Sequence, residues 1–114
     1  MLLYLAGKMR GLPAVNPAAF AEGAAALRAL GHTVFNPAEN GLSASNEDVR
    51  RFLAVDLAWI TGCAEGVVVL PGWEASRGAR AEVATAHAIE IPVYELASLL
   101  EHGTDWAHLI EVTR

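Results

Sequence analysis

Short apolar runs alternate along this chain with longer stretches of mixed polarity. Leu2 to Ala6 and Val67 to Leu70 are apolar without alternation, which is typical of strands that are covered on both faces of a sheet. Two further short runs read in the same way, His32 to Phe35 and Ile91 to Tyr94. The pattern therefore predicts four strands that are separated by helices.

The segments between these runs carry helix start and stop residues. The predicted helices run from Asn16 or Pro17 to Gly31, from near Asn46 onward, and from Arg77 to about Ala88, with one or two short terminal helices over Ala97 to Glu101 and Asp105 to Val112. Crossovers of this length between short apolar strands imply a parallel sheet with helices on both faces. We predict an α/β fold, a flavodoxin-like or Rossmann-like three-layer sandwich with a parallel sheet of four to five strands, in a single domain over residues 1–114.

An acidic residue interrupts the apolar stripe of the second predicted helix. The stripe consists of Val49, Phe52, Leu53, Trp59 and Ile60. Asp56 lies within it, where an ionised side chain is costly unless it has partners. Asp56 is therefore either a core aspartate that is tied to backbone amides or to Arg51, or a site carboxylate that faces the strand ends. Trp59 is more readily explained as a core residue than as a platform for a base.

A loop rich in Pro and Gly leads from the third strand into the third predicted helix. Ser76 can cap this helix, and with Gly78 it leaves free N–H groups at the carboxyl edge of the sheet, where open α/β folds bind anions. Glu82 follows close enough to reach a ligand bound there, although a solvated helix glutamate near Arg80 is the alternative. Trp73 precedes the cap, where it would pack on a ligand, a partner or a neighbouring flap.

A second loop suited to an anion follows the first strand. Gly7 and Gly11 flank Lys8 and Arg10 there, as suits a phosphate or ribose contact at the end of a strand. The alternative is that the glycines only form the turn and the cations are solvated. The loop does not read G-x-G-x-x-G and the chain has no P-loop lysine motif, so a dinucleotide is not expected.

Composition narrows the classes of partner. The 114 residues are 54% hydrophobic and 18% charged, as in a globular domain, and the net charge of -5 argues against a nucleic-acid partner while leaving a single nucleotide possible. One cysteine, Cys63, and four scattered histidines have no metal-ligand spacing, so we expect a buried structural thiol, no metal and no cofactor. Without a long apolar segment or a leader pattern, a cytoplasmic protein with no membrane partner is expected.

Three separated segments together resemble the nucleoside 2-deoxyribosyltransferase superfamily, and within it the 2′-deoxynucleoside 5′-monophosphate N-glycosidases. They are Tyr4-Leu5-Ala6-Gly7 with Met9-Arg10-Gly11, Asp56-Leu57-Ala58-Trp59, and Ser76-x-Gly78-x-x-x-Glu82, and they span nearly the whole chain. The resemblance implies that Glu82 is the nucleophile. It implies further that Asp56 positions Glu82 or shares its proton, and that Tyr4 helps to offset the desolvation of Glu82.

The same resemblance implies the substrate contacts. Residues that would line the sugar or hold the 5′-phosphate are Gly7, Met9, Arg10, Gly11, Ser76 and Gly78, and Trp73 is a further candidate contact. Ser98 is similar to a serine that the family lends to the phosphate site of the neighbouring subunit, which implies a homodimer. Two departures concern the substrate: the loop Pro71-Gly72-Trp73-Glu74 resembles a small bacterial and phage branch, and Glu65 stands where the family usually has an aspartate.

The function that the resemblance implies is hydrolysis of the N-glycosidic bond of a (deoxy)nucleoside 5′-monophosphate through Glu82. One alternative is a nucleotide-binding or sensing module that has the pocket without the chemistry, which the altered loop at Trp73 would favour. The other is a nucleoside 2-deoxyribosyltransferase without a phosphate requirement, against which Arg10 and Ser76 speak.

Overall fold

The computed structural model describes residues 1–8, 17–40, 47–102 and 111–112, which form alternating strands and helices. In chain order they are β1 (Leu2–Ala6), α1 (Pro17–Ala29), β2 (Thr33–Phe35), α2 (Glu47–Gly62), β3 (Gly66–Val69), α3 (Arg77–Ala88), β4 (Val93–Glu95) and α4 (Leu96–His102), with short 3-10 helices at Pro37–Asn40 and Trp73–Ala75. Each strand lies within two residues of the run that predicted it. None of the helices in these ranges is long and apolar enough to cross a membrane.

The four strands form one parallel sheet in the order β2-β1-β3-β4. The register places Tyr4 of β1 opposite Phe35 of β2 and opposite Val67 of β3. The two central strands, β1 and β3, are the two unbroken apolar runs, because helices cover both of their faces. This topology confirms the predicted α/β, flavodoxin-like fold with a parallel sheet.

The helices divide the core into two layers, one on each face of the sheet. The α1–α4 face buries Leu3, Leu5, Phe20, Ala24, Leu27, Val34, Val68, Leu70 and Leu99. The α2–α3 face buries Tyr4, Ala6, Ile60, Val67, Val69, Ala79, Val83, Ala86 and Val93. Alternate residues of β1 enter the two layers, because successive side chains of a strand point to opposite faces.

Two predicted helix boundaries are confirmed. Gly31 follows α1 with a φ of 94°, the left-handed conformation expected of a glycine at a helix end. Ser76 is the N-cap of α3, and its hydroxyl oxygen accepts a hydrogen bond from the N–H of Ala79 at 3.1 Å.

Two other predictions are wrong. A helix was predicted over 105–112, but Glu111 forms an antiparallel bridge with Tyr94, and the N–H of Val112 donates to the backbone of β4. The free edge of β4 offers backbone groups that an extended segment satisfies better than a helix. Residues 105–110 lie outside the described residues.

Cys63 is exposed rather than buried, since it follows the last residue of α2 on the protein surface.

Candidate functional site

Three polar side chains meet inside the α2–α3 face of the sheet. Tyr4 comes from the middle of β1, Asp56 from α2 and Glu82 from α3, and their exposed fractions are 0%, 5% and 5%. The hydroxyl of Tyr4 donates a hydrogen bond to Oε2 of Glu82. The fold thus brings together the three residues for which the sequence predicted a catalytic role.

The surroundings of the two carboxyl groups narrow the interpretations that the sequence left open for them. Glu82 is not a solvated helix glutamate, because it lies on the buried face of α3 with Val83 and Ala86. Asp56 is not held by Arg51, whose side chain is exposed, and its hydrogen bonding is to Tyr4 and Glu82. Two carboxyl groups thus lie together away from water, and the cost of their desolvation is high unless they share a proton.

The electrostatics of this cluster favour a protonated Glu82. Burial raises the pKa of Glu82 from its ordinary 4.5 to about 8; the hydrogen bond from Tyr4 opposes this rise, and the charge of Asp56 adds to it. Burial also raises the pKa of Asp56, while hydrogen bonding to Tyr4 and Glu82 lowers it. The pKa of the Tyr4 phenol lies far above its ordinary range, first through burial and then through the two carboxylates. At neutral pH Tyr4 is therefore a neutral donor and Glu82 carries a proton.

An aromatic group supports the ring of Tyr4. The ring of Phe35 stacks on it with 5.5 Å between centroids, and the ring of Trp59 lies tilted at 6.3 Å from Tyr4 and 4.9 Å from Phe35. Phe35 and Trp59 both pack against the buried residues of the α2–α3 face. Trp59 is a core residue, as predicted, and it helps to fix the direction of the Tyr4 hydroxyl.

The first turn of α3 leaves open space beside the cluster. An added Cβ at Gly78 would meet only the hydroxyl oxygen of Ser76, at 3.9 Å. The absence of a side chain at Gly78 is therefore not a requirement of packing. The prediction that Ser76 and Gly78 bind a phosphate is compatible with this geometry and stays a prediction.

The other predicted contacts fall in different surroundings. At Gly7 a Cβ would lie 2.9 Å from Cδ1 of Leu70, so the close approach of β1 and β3 explains this glycine by packing. Trp73 lies in the 3-10 helix after β3, half-buried against the α2–α3 core. Ser98 lies in α4, on the opposite face of the sheet from Glu82, so its own chain does not bring it to the cluster. Met9, Arg10 and Gly11 lie outside the described residues.

The predicted apolar stripe of α2 is only partly core. Ile60 is fully buried, whereas Val49 is 37% exposed and Phe52 and Leu53 are half-buried. Helical spacing gave the face of these residues correctly, but spacing does not tell how far along the helix that face stays covered. The sequence carried one sign that this part of the stripe is not core. Phe52 lies one turn before Asp56, toward the end of the helix that faces the strand ends.

Metal chemistry has no support in this part of the chain. Among the residues that the structure describes, no three His, Cys, Asp or Glu side chains group together in a way that could hold a metal ion.

Comparisons with known proteins identify the family and the fold of this chain. Residues 1–95 match the family described as "Domain of unknown function (DUF4406)". No curated protein gives a significant match. Among solved structures, the chain is similar to the 2-deoxyribosyltransferase from the psychrotolerant bacterium Bacillus psychrosaccharolyticus, with 26% sequence identity, a TM-score of 0.66, and coverage of 83% of this chain and 71% of that chain. The similarity supports the superfamily that the sequence motifs resemble. Because the family match covers most of the chain, we conclude that this protein belongs to the DUF4406 family and has the fold of a nucleoside 2-deoxyribosyltransferase.

Proposed function

We propose that this protein cleaves the N-glycosidic bond of a (deoxy)nucleoside 5′-monophosphate through a covalent intermediate on Glu82. The observation that carries the proposal is the buried cluster of Tyr4, Asp56 and Glu82, in a fold similar to that of a 2-deoxyribosyltransferase. Two carboxyl groups at a glycosidic bond can act as nucleophile and proton donor in turn, which is the logic of retaining glycosyl chemistry.

The first step uses the proton that burial keeps on the cluster. Glu82 must be ionised to attack C1′, and the departing base nitrogen must gain a proton. If the proton of Glu82 passes through Asp56 to the base, both needs are met at once. A Glu82 oxygen then bonds to C1′, the C1′–N bond breaks, and its electron pair stays on the base. Tyr4 keeps the attacking carboxylate oriented through its hydrogen bond.

The second step resolves the covalent ester. A water oxygen attacks C1′, the bond between C1′ and Glu82 breaks, and the water proton returns to the Asp56–Glu82 pair. The products are the free base and a (deoxy)ribose 5-phosphate. In this scheme Ser76, Gly78 and Arg10 hold the 5′-phosphate, so that C1′ meets the carboxylate. The position of Ser76 and Gly78 in the open first turn of α3 supports their role in phosphate binding. The role of Arg10 rests on the sequence alone.

A second candidate function is transfer of the sugar to another base. It is favoured by the similarity to the B. psychrosaccharolyticus enzyme, which is described as a biocatalyst for the synthesis of nucleosides. Transfer and hydrolysis share the first step and differ only in what attacks the covalent intermediate. The same cluster serves both.

The test is the release of free base by the parent protein and by Glu82→Gln, followed by chromatography. The substrates are the deoxynucleoside and ribonucleoside 5′-monophosphates, each with and without a second free base. Glutamine keeps the shape and can still accept the bond from Tyr4, but it cannot form the ester, so we expect release to fall about a thousandfold or more. Glu101→Gln, at an exposed position of α4, is the matched control and should keep full activity.

The outcomes separate the candidates. Full turnover by Glu82→Gln would contradict the proposed nucleophile. Formation of a new nucleotide from the added base would favour transfer over hydrolysis. No released base from any substrate, with nucleotides still raising the melting temperature, would favour a binding module.

A further inference from the structure

The hydroxyl of Tyr4 must stay in place while its hydrogen-bond partner changes. It donates to Oε2 of Glu82, and in the proposed scheme Glu82 passes from acid to carboxylate to ester. An ester oxygen accepts a weaker hydrogen bond than a carboxylate does. The bond cannot by itself keep the phenol in one position through the reaction, so the ring of Tyr4 must be held by its packing.

The neighbouring strands flank the ring of Tyr4 within the sheet. Val67 of β3 lies opposite Tyr4 on one side and Phe35 of β2 on the other, and all three side chains pack in the α2–α3 layer. β2 is the edge strand of the sheet that the described residues form. The ring of Phe35 stacks on that of Tyr4 with 5.5 Å between centroids and 20° between planes. Phe35 therefore blocks a swing of Tyr4 toward the edge of the sheet.

Phe35 is itself held by its neighbours in the chain and by a second ring. Before it, the carbonyl of Val34 accepts a hydrogen bond from Nη2 of Arg28 at 2.9 Å. After it, Oδ1 of the buried Asn36 accepts a backbone N–H of the following 3-10 helix at 3.0 Å. The ring of Trp59 lies 4.9 Å from that of Phe35. Phe35 thus offers Tyr4 a surface that is fixed by groups outside the carboxyl cluster.

We propose that Phe35 is a positioning residue of the reaction, which keeps the phenol hydroxyl of Tyr4 against Glu82 while the covalent intermediate forms and is hydrolysed. The inference rests on the proposed function and adds to it a residue that acts through Tyr4 rather than on the substrate. A misplacement of about 1 Å in a reacting group can cost about a hundredfold in rate, so a small displacement of the hydroxyl is enough to be measured.

The first measurement is the single-turnover rate of base release from the nucleoside 5′-monophosphates. Phe35→Leu keeps an apolar side chain but removes the stacked ring, so the rate should fall about tenfold, while the half-saturating nucleotide concentration stays within about twofold. Phe35→Tyr keeps the ring and should stay within about twofold of the parent. Ile91→Ala is the matched control and should keep the parent rate, since Ile91 is half-buried against the same core layer but lies before β4.

The second measurement needs no substrate. The pKa of Glu82 is followed by carbon-13 NMR of the glutamate carboxyl groups, and its signal is assigned through Glu82→Gln. The titratable groups that act on Glu82 are Tyr4 from β1 and Asp56 from α2, and Phe35→Leu alters neither. Because the hydrogen bond from Tyr4 favours the charged form of Glu82, a displaced hydroxyl should move this pKa further above its ordinary range. Phe35→Tyr and Ile91→Ala should titrate like the parent.

The two measurements separate this inference from the proposed function. An unchanged rate and an unchanged pKa of Glu82 in Phe35→Leu, or equal changes in Ile91→Ala, would overturn the role of Phe35. A loss of nucleotide affinity at an unchanged rate would also overturn it, since Phe35 would then act on the substrate. If the parent releases no base but Phe35→Leu alone raises the pKa of Glu82, the positioning of Tyr4 by Phe35 stands and the proposed chemistry falls.

Discussion

The two faces of the sheet are built from the same strands but differ in what they bury. The α1–α4 face is filled by aliphatic side chains and Phe20, with no carboxyl group among its buried residues in the described ranges. The α2–α3 face encloses Tyr4, Asp56 and Glu82 within an equally buried layer. One face is closed by hydrophobic packing alone, whereas the other keeps ionisable groups away from water.

A small domain can therefore bury reactive groups on one face of its sheet without losing its fold. Apolar burial on the α1–α4 face is favourable at every position, while each carboxyl on the α2–α3 face loses hydration that a hydrogen bond only partly replaces. The stability of the first face supports the perturbed chemistry of the second. The contrast between the two faces can be tested by stability, by pH dependence and by substitution in α3.

The largest effect on stability is expected on the apolar face. Phe20→Ala should lower the free energy of unfolding by about 3–5 kcal/mol, because Phe20 is fully buried and its loss leaves a cavity. Glu82→Gln on the other face should lower it by about 1 kcal/mol or less near pH 6, since a neutral amide replaces a neutral acid. Urea denaturation measures both.

Leu30→Ala is the control for this comparison, since Leu30 is 44% exposed just beyond α1 and its loss should change stability by about 0.5 kcal/mol or less. Equal losses in the free energy of unfolding for Phe20→Ala and Glu82→Gln would mean that the two faces contribute equally to stability, which would contradict the expected difference between them.

The second prediction concerns pH, because stability and activity both depend on the proton of Glu82. Between pH 4.5 and about 8 the folded state keeps the Glu82 proton and the unfolded state does not. The stabilising effect of this proton on the folded state is fully present below pH 4.5 and is lost as the pH rises to about 8. Over that range the free energy of unfolding falls by up to about 1.4 kcal/mol per pH unit. As the pH rises past about 8, kcat/KM for base release should fall, because the free protein then loses the Glu82 proton that the departing base needs.

The difference between the parent and Glu82→Gln isolates this group from the other titrating residues. Urea denaturation of both proteins at several pH values should give a flatter profile for the variant. Parallel profiles for the two proteins would mean that Glu82 is ionised in the folded state near neutral pH.

The smallest effect on stability is expected at the open turn of α3. Gly78→Ala introduces a Cβ that meets no close neighbour and a residue that favours the helix, so the free energy of unfolding should stay constant or rise by up to about 1 kcal/mol. If a substrate phosphate occupies this space, KM should rise severalfold all the same. Steady-state kinetics and urea denaturation together measure the split.

Gly62→Ala is the matched control, since Gly62 ends α2 and an added Cβ there meets nothing within 4 Å. It should leave KM unchanged. An unchanged KM in Gly78→Ala as well would place the phosphate elsewhere.

Much of the fold followed from local patterns. The unbroken runs at β1 and β3 identified the central strands, and Gly31 and Ser76 marked helix boundaries, because backbone conformation and capping depend on neighbouring residues. The predicted helix over 105–112 failed at Glu111 and Val112, where the edge of β4, far away in sequence, offers better hydrogen-bond partners.

The sequence singled out the residues of the buried cluster but not their protonation state. The acidic residue in an apolar stripe and the spacing of Ser76 and Glu82 singled out positions that the fold brings together. That Glu82 is buried enough to hold its proton near neutral pH depends on how α2 and α3 close over β1. No local pattern contains that information.

Local sequence was enough to predict the order of strands and helices, the parallel sheet, the helix caps and the family motifs, since each depends on residues close in the chain or on a fixed spacing. The tertiary structure was needed to show that Gly7 serves packing, that Ser98 lies across the sheet from Glu82, and that Phe52 is only half-buried. Burial and proximity are set by contacts between distant segments, and the pKa values and reactivity of the carboxyl pair follow from them.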